Sequence, residues 1–99
     1  MAPLHKKYRV QIGQWIAELE PVLVRLKQGA STPQVLAAVR ARAHSSAGSG
    51  STYGFTQITK TAEALEELLK TSDSPDLGLV AALLESFLTA CRDALTQSD

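Results

Sequence analysis

The sequence has one cysteine, Cys91, and two histidines among its 99 residues. One cysteine provides neither a disulfide framework nor a thiolate cluster, and the two histidines lie far apart in the sequence, so we expect no disulfide and no metal site. The chain also lacks an excess of one charge, because ten basic residues balance ten acidic ones. Without a basic surface it has no electrostatic basis for binding nucleic acid or an anionic membrane, and we expect neither as a partner.

Long apolar runs are missing as well. No stretch approaches the roughly 20 apolar residues that a membrane-spanning helix requires, and no apolar segment follows Lys6 and Lys7 to form a signal peptide. We therefore expect a cytoplasmic protein. Aromatic residues make up only 5% of the chain, against 44% hydrophobic residues in total. A core built mostly from leucine and alanine favours packed helices over a β-sandwich.

The length and the absence of period-two alternation predict one all-α domain over residues 1–99, with residues 1–6 disordered. Apolar residues recur at helical spacing in four segments joined by short connections, so consecutive helices should run antiparallel. The predicted fold is an antiparallel up-and-down four-helix bundle with a short or kinked extra N-terminal helix. Pro21 is the reason for the last feature, because it lacks an N–H and disfavours helical geometry at Glu20. The segment from Tyr8 to Gly29 is then one kinked helix or two.

Capping residues predict where these helices begin and end. Gly29 suits the end of the first helix, and Thr32 suits an N-cap followed by Pro33 at the first helical position. Thr56 can cap the third helix, and Ser74 before Pro75 can start the fourth. The apolar positions of the last two helices are Ile58, Ala62, Leu65, Leu69, Leu79, Val80, Leu83, Leu84, Phe87, Leu88, Cys91, Ala94 and Leu95.

The stretch from residue 43 to residue 55 combines a histidine with many small residues and ends in the aromatic-Gly-aromatic triplet 53–55. It is either a flexible Ser/Gly linker or part of a packed helical corner. A linker would leave the apolar face before it without a partner, whereas small residues in a helix permit the close approach of another backbone. The helical interpretation is therefore favoured. A phosphate-binding loop of the Walker type would need a lysine beside the Ser/Thr, and none is present.

Helical periodicity places His44 away from the core. At about 100° per residue, the core-facing direction of this helix lies about 120° from His44. The imidazole then stands on a surface of small side chains with Arg40 one turn away. An exposed imidazole is a nucleophile near neutral pH when an acceptor holds its other nitrogen. Glu66 can be that acceptor, because the two residues lie at similar distances on either side of Gly54.

These residues resemble a known family. HSSAGSGSTYGF (residues 44–55) followed by ALEELL (64–69) is similar to the histidine-containing phosphotransfer (HPt) domain, and closest to the phosphoacceptor type found in chemotaxis kinases. The resemblance runs without a gap from His44 to Leu69. It implies a phosphocarrier without its own ATP site or cofactor: His44 would accept a phosphoryl group from a receiver-domain aspartate or a kinase and pass it to another receiver, which supplies Mg²⁺. Glu66 would orient the imidazole.

The resemblance also implies roles for the surroundings of the histidine. Gly48 would let the receiver close over His44, and Ser51 would belong to the same receiver-facing surface. Ala47 stands where many members have a lysine that holds the phosphate, so Arg40 or Lys60 would have to supply the cation. Ser46 likewise stands where an apolar residue is usual.

Three alternatives stay open. The chain is a free-standing phosphorelay intermediate, as its end at Asp99 suggests, or the N-terminal module of a chemotaxis-type histidine kinase. It can also be a degenerate domain or helical adaptor that binds receivers without transfer. The expected partners are the receiver domain of a response regulator, a hybrid histidine kinase or both, and we expect a monomer.

Overall fold

The computed structural model of the protein describes residues 3–72 and 74–96. They form four helices and, within these two ranges, no strand. The helices are α1 (Pro3–Lys27), α2 (Pro33–Tyr53), α3 (Thr56–Thr71) and α4 (Leu77–Thr96). α2 packs closely against α3, and α4 packs against both α1 and α3, whereas α1 and α2 approach each other less closely. The prediction of an all-α four-helix bundle is confirmed.

Contacts at both ends of the bundle show that α1 and α4 are antiparallel. Near the start of α1, Arg9 donates a hydrogen bond to the carbonyl oxygen of Ala94 at the end of α4 (3.2 Å). At the end of α1, Lys27 forms an ion pair with Glu85 in the first half of α4 (3.3 Å).

The structure selects one of the two alternatives that were open for the N-terminal segment. Residues 3–27 form one helix that continues through Pro21, so the second helix of the other alternative does not exist among the described residues. Pro21 lies on the exposed face, where it removes one hydrogen bond, while Leu19, Leu23 and Leu26 are buried on either side of it. Burying each leucine stabilises the fold by about 1.5–3 kcal/mol, which outweighs the roughly 3 kcal/mol that an interior proline costs. Residues 3–6, predicted to be disordered, are also helical, since a proline fits the first turn of a helix; residues 1 and 2 lie outside the described residues.

Two of the four predicted caps differ as well. Gly29, with φ of 76°, follows α1, and Thr32 caps α2 by accepting a hydrogen bond from the N–H of Val35 (3.2 Å), as predicted. Thr56 is the first residue of α3 rather than its cap, because the turn before it takes only two residues.

The cap of α4 is Asp76, not Ser74. Its Oδ1 accepts hydrogen bonds from the N–H of Gly78 (2.8 Å) and the N–H of Leu79 (3.2 Å). A carboxylate that reaches two free N–H groups also interacts favourably with the helix dipole, which a serine hydroxyl does not. Leu79, which we predicted in the apolar stripe of α4, is 49% exposed because it lies in this first turn.

The core runs the length of the bundle, and its aromatic residues collect at one end. The Tyr8 ring stacks on Tyr53 with centroids 4.4 Å apart and also contacts Phe55 and Trp15. The triplet at residues 53–55 therefore attaches the α2–α3 turn to α1. This role was not apparent from the sequence.

Two buried ionisable groups lie between α1 and α4. Burial raises the pKa of the Cys91 thiol to about 12, although the neighbouring Arg92 opposes the shift. Burial also raises the pKa of the Tyr8 hydroxyl, with smaller contributions from Cys91 and Tyr53. The Tyr8 hydroxyl has no hydrogen-bond partner in the described part of the chain. Both groups are therefore held in their neutral forms.

None of the helices in residues 3–72 and 74–96 is long and apolar enough to cross a membrane.

Candidate functional site

His44 lies in the middle of α2 with its side chain directed to solvent. The side chain is 78% exposed, whereas the buried residues of the same helix are Val39, Ala43, Ser46 and Gly50. These four positions are one helical face, and His44 stands outside it, as the periodicity of the sequence predicted. The imidazole is accessible to a large partner.

Glu66 on α3 holds one nitrogen of this imidazole. His44 Nδ1 lies 2.7 Å from Glu66 Oε2, and the Glu66 side chain is only 23% exposed. An ionised carboxylate can only accept a hydrogen bond, so Nδ1 carries the hydrogen and donates it. In the neutral ring this assigns the tautomer, and Nε2 is left with a free lone pair.

The α2–α3 turn positions the two helices for this contact. Gly54 adopts a left-handed conformation (φ 80°), which glycine tolerates without strain. Its N–H donates to the carbonyl oxygens of Gly50 and Ser51, and the N–H of Phe55 donates to the carbonyl oxygen of Gly50 (2.8 Å). The chain therefore reverses within two residues, which brings His44 level with Glu66.

Gly50 allows α2 and α3 to approach closely. A Cβ at this position would lie 2.6 Å from Thr59 Oγ1 and 3.3 Å from the Phe55 carbonyl oxygen. The 2.6 Å distance is shorter than real Cβ contacts, so a larger residue would force Thr59 to shift. Packing therefore favours glycine at position 50.

Gly48, one turn after His44, has no such structural reason. It is helical and exposed, and a Cβ there would meet nothing within 4 Å. A glycine inside a helix costs about 0.5–1 kcal/mol relative to alanine. No packing contact within the described residues requires a glycine at this position. The exposed backbone at Gly48 is accessible to another molecule.

The other predicted residues around the histidine fall into two groups. Ser51 and Lys60 are exposed, Ser51 on α2 and Lys60 on the outer face of α3. Ala47 is half-buried against the core, and its carbonyl oxygen lies 3.5 Å from Thr59 Oγ1. Ser46 is fully buried, and its hydroxyl finds no partner among the described residues. Ser46 therefore occupies a buried position that provides no partner for its hydroxyl.

An open groove of about 700 Å³ extends from His44 along α2 and α3 towards the α3–α4 connection. Its polar end contains Arg40 together with His44 and Glu66, and its far end is apolar. Residues that line it include Leu36, Arg40, His44, Glu66, Leu69 and Pro75. Lys60 does not line this groove. Leu36 could have been assigned to the groove from the sequence, since its direction on the helix lies between the core and His44.

No group of three or more histidine, cysteine, aspartate or glutamate side chains that could hold a metal ion occurs in the parts of the chain that the structure describes. The site consists of one imidazole, one carboxylate and one nearby guanidinium. The imidazole of such a set can carry a group on nitrogen.

A scan against protein-family models matches the Hpt domain over residues 12–98, which is most of the chain and includes all the residues of the site. No curated protein and no solved structure matches the chain significantly. Hpt domains carry a phosphoryl group on a histidine within two-component signalling, have no ATP-binding site of their own and interact with receiver domains. The four helices of the described residues agree with this match, and the chain belongs to the Hpt domain family.

Proposed function

We propose that this protein is a phosphorelay intermediate that carries a phosphoryl group on Nε2 of His44. The observation that carries the proposal is the geometry of His44: an exposed ring whose Nδ1 is bound to Glu66 and whose Nε2 is free. The donor is an aspartyl phosphate on a receiver domain or a kinase, and the acceptor is the aspartate of another receiver.

The transfer needs little from this chain beyond a positioned nucleophile. The Nε2 lone pair forms the N–P bond as the bond between phosphorus and the aspartyl oxygen breaks, and the aspartate leaves as a carboxylate. The imidazole loses no proton and becomes a cation that retains its hydrogen on Nδ1. Glu66, already hydrogen-bonded to Nδ1, stabilises this positive charge as it forms. The same steps in reverse pass the phosphoryl group from His44 to the aspartate of the next receiver.

The surface around His44 suits a receiver that approaches from solvent. Gly48 and Ser51 are exposed and small, so loops that surround the receiver's aspartate can come close to the ring. Receiver domains supply Mg²⁺ in this proposal. We further propose that residues 1–99 act as one domain, in the cytoplasm and as a monomer.

The test is phosphate labelling. A receiver carrying ³²P on its aspartate should label the wild-type protein, and the label should be acid-labile and base-stable, as expected of phosphohistidine. A His44→Gln variant should stay unlabelled, whereas a His5→Gln variant, which removes the other histidine, should label like the wild type. Label that persists in His44→Gln would overturn the assignment of His44.

A second candidate is the phosphoacceptor module of a chemotaxis-type kinase. The gap-free resemblance of residues 44–69 to that type of domain and the contact between His44 and Glu66 favour it. A purified kinase core with ATP would then label His44 in the absence of any receiver. A domain that binds receivers without transfer would instead retain receivers in a binding assay and remain unlabelled under both conditions.

A further inference from the structure

A phosphoryl group on His44 would add negative charge to a site that already contains the Glu66 carboxylate. The group carries close to two negative charges at neutral pH. It would be bound to a ring whose other nitrogen lies 2.7 Å from the Glu66 carboxylate. Glu66 offsets the positive charge of the ring, so nothing in this pair compensates the phosphoryl oxygens. A nearby cation would stabilise the phosphorylated state.

The arginine and lysine side chains in the described parts of α2 and α3 differ in whether they are available to bind a phosphoryl group on His44. Arg42 is paired with Glu18 of α1, with Nε 2.9 Å from Oε1. Lys60 and Lys70 lie on the outer face of α3 and do not line the groove that contains His44. Arg40 lines this groove, is exposed and forms no ion pair with any residue in the described ranges.

Helix geometry places Arg40 and His44 beside each other. Residues four apart share one face of a helix. Arg40 and His44 therefore stand one turn apart on the same face of α2, and both line the groove. A guanidinium presents a planar set of N–H donors that matches two phosphate oxygens at once. Ala47, on the other side of the ring, has no polar side-chain atom and cannot perform this function.

We propose that Arg40 binds the oxygens of the phosphoryl group on His44 and so sets how stable the phosphorylated state is. This inference rests on the proposed function of His44 as the carrier. It assigns the cation of the site to α2, on the groove side of the histidine, rather than to Lys60 of α3. The transferred group then lies between the Nε2 atom that carries it and the guanidinium one turn away.

The first experiment needs no receiver. In a His5→Gln background, phosphoramidate phosphorylates His44 chemically, and ¹⁵N NMR follows the Nε–H resonances of the arginines. The Arg40 resonance, assigned by its loss in Arg40→Gln, should shift on phosphorylation. The resonance of Arg42, which is bound to Glu18, should stay in place. An unmoved Arg40 resonance in fully phosphorylated protein would overturn the proposal.

The second experiment measures the equilibrium with a phosphorylated receiver. Arg40→Gln should lower the equilibrium constant for phosphorylation of His44 by about two- to fivefold, as expected for loss of one charge pair at an exposed site. Arg40→Lys should restore part of it, and Arg25→Gln, the same change on α1, should have no effect. An effect of Lys60→Gln without one of Arg40→Gln would contradict the proposal.

The two experiments separate this inference from the proposed function. If no receiver transfers its phosphoryl group but the Arg40 resonance shifts in chemically phosphorylated protein, the proposed function fails while the assignment of Arg40 stands. If transfer occurs while the Arg40 resonance stays in place on phosphorylation and Arg40→Gln leaves the equilibrium constant unchanged, the proposed function stands and the assignment of Arg40 fails.

Discussion

The Nδ1 atom of His44 lies 2.7 Å from Oε2 of Glu66, although 22 residues separate the two in the sequence. The contact joins an exposed ring to a carboxylate that is largely covered by its surroundings. It leaves Nε2 as the only ring nitrogen with a free lone pair in the neutral form. The chemistry proposed for the protein depends on this relationship.

Replacing Glu66 by glutamine tests this dependence. The amide oxygen can still accept the hydrogen bond from Nδ1, but the negative charge that stabilises the cationic ring is lost. We expect the rate of phosphorylation by a phosphorylated receiver to fall about tenfold or more, in line with the loss of one charge-assisted hydrogen bond. Glu66→Ala should lower the rate further, because the tautomer is then no longer held. Glu67→Gln on the exposed side of α3 is the matched control, and equal losses in the Glu66 and Glu67 variants would contradict the role of Glu66.

The two helical glycines near the histidine should respond in opposite ways to alanine. Gly48→Ala meets open space and should raise the free energy of unfolding by about 0.5–1 kcal/mol. Gly50→Ala places a Cβ 2.6 Å from Thr59 Oγ1 and should lower this free energy by about 1–3 kcal/mol. Urea denaturation of the two variants measures both changes. If Gly48 serves receiver docking, Gly48→Ala should also slow transfer despite its greater stability; an unchanged rate would remove Gly48 from the docking surface.

Ser46 offers a substitution that should stabilise the protein. Its hydroxyl is buried without a partner among the described residues, and a buried unsatisfied polar group costs about 1–3 kcal/mol. Alanine removes the hydroxyl and also has the higher helix propensity. We expect Ser46→Ala to raise the free energy of unfolding by about 1 kcal/mol or more, measured by urea denaturation. Ser45→Ala, at the exposed neighbouring position, should gain only the few tenths of a kcal/mol due to propensity, and a similar gain in both variants would show that the Ser46 hydroxyl is satisfied in solution.

Stability should decrease at alkaline pH because of Cys91. Its pKa is raised from 9.0 to about 12 in the folded state, so above pH 9 the unfolded chain loses a proton that the folded chain keeps. The neutral thiol makes its full contribution to the free energy of unfolding below pH 9. This contribution is lost progressively as the pH rises from 9 towards 12, by at most about 1.4 kcal/mol per pH unit.

Denaturation series between pH 8 and pH 11 measure this loss. Cys91→Ala should reduce the slope of the free energy of unfolding against pH. Tyr8→Phe should do the same above pH 10, since burial raises the pKa of Tyr8 as well. A slope that is the same in wild type and Cys91→Ala would show that the thiol ionises equally in both states.

The local features of the fold followed from the sequence. Periodicity identified the buried faces of α2 and α3, including Ala43 beside the exposed His44, because the direction of a side chain depends only on its position along its own helix. Thr32 and Gly29 were recognised for a similar reason, since a cap is formed by neighbours in sequence. The helical nature of residues 44–53 also followed, once a linker was seen to leave an apolar face uncovered.

Features that depend on how helices pack required the tertiary structure. Pro21 does not break α1, because burial of leucines on both sides outweighs a local penalty that the sequence shows by itself. The structure also shows that α4 begins at Leu77, two residues after the start that Ser74 and Pro75 predicted, so Asp76 rather than Ser74 is its cap.

The sequence by itself determined four amphipathic helices, the outward direction of His44 and the opportunity for Glu66 to meet it. Only the tertiary structure decided that they do meet, at 2.7 Å, and that Arg40 rather than Lys60 shares their groove. The physical reason is that helical periodicity is a property of one segment. The rotation and sliding of one helix against another depend on which residues are in contact, and at Gly50 the absence of a side chain leaves room for Thr59 of α3.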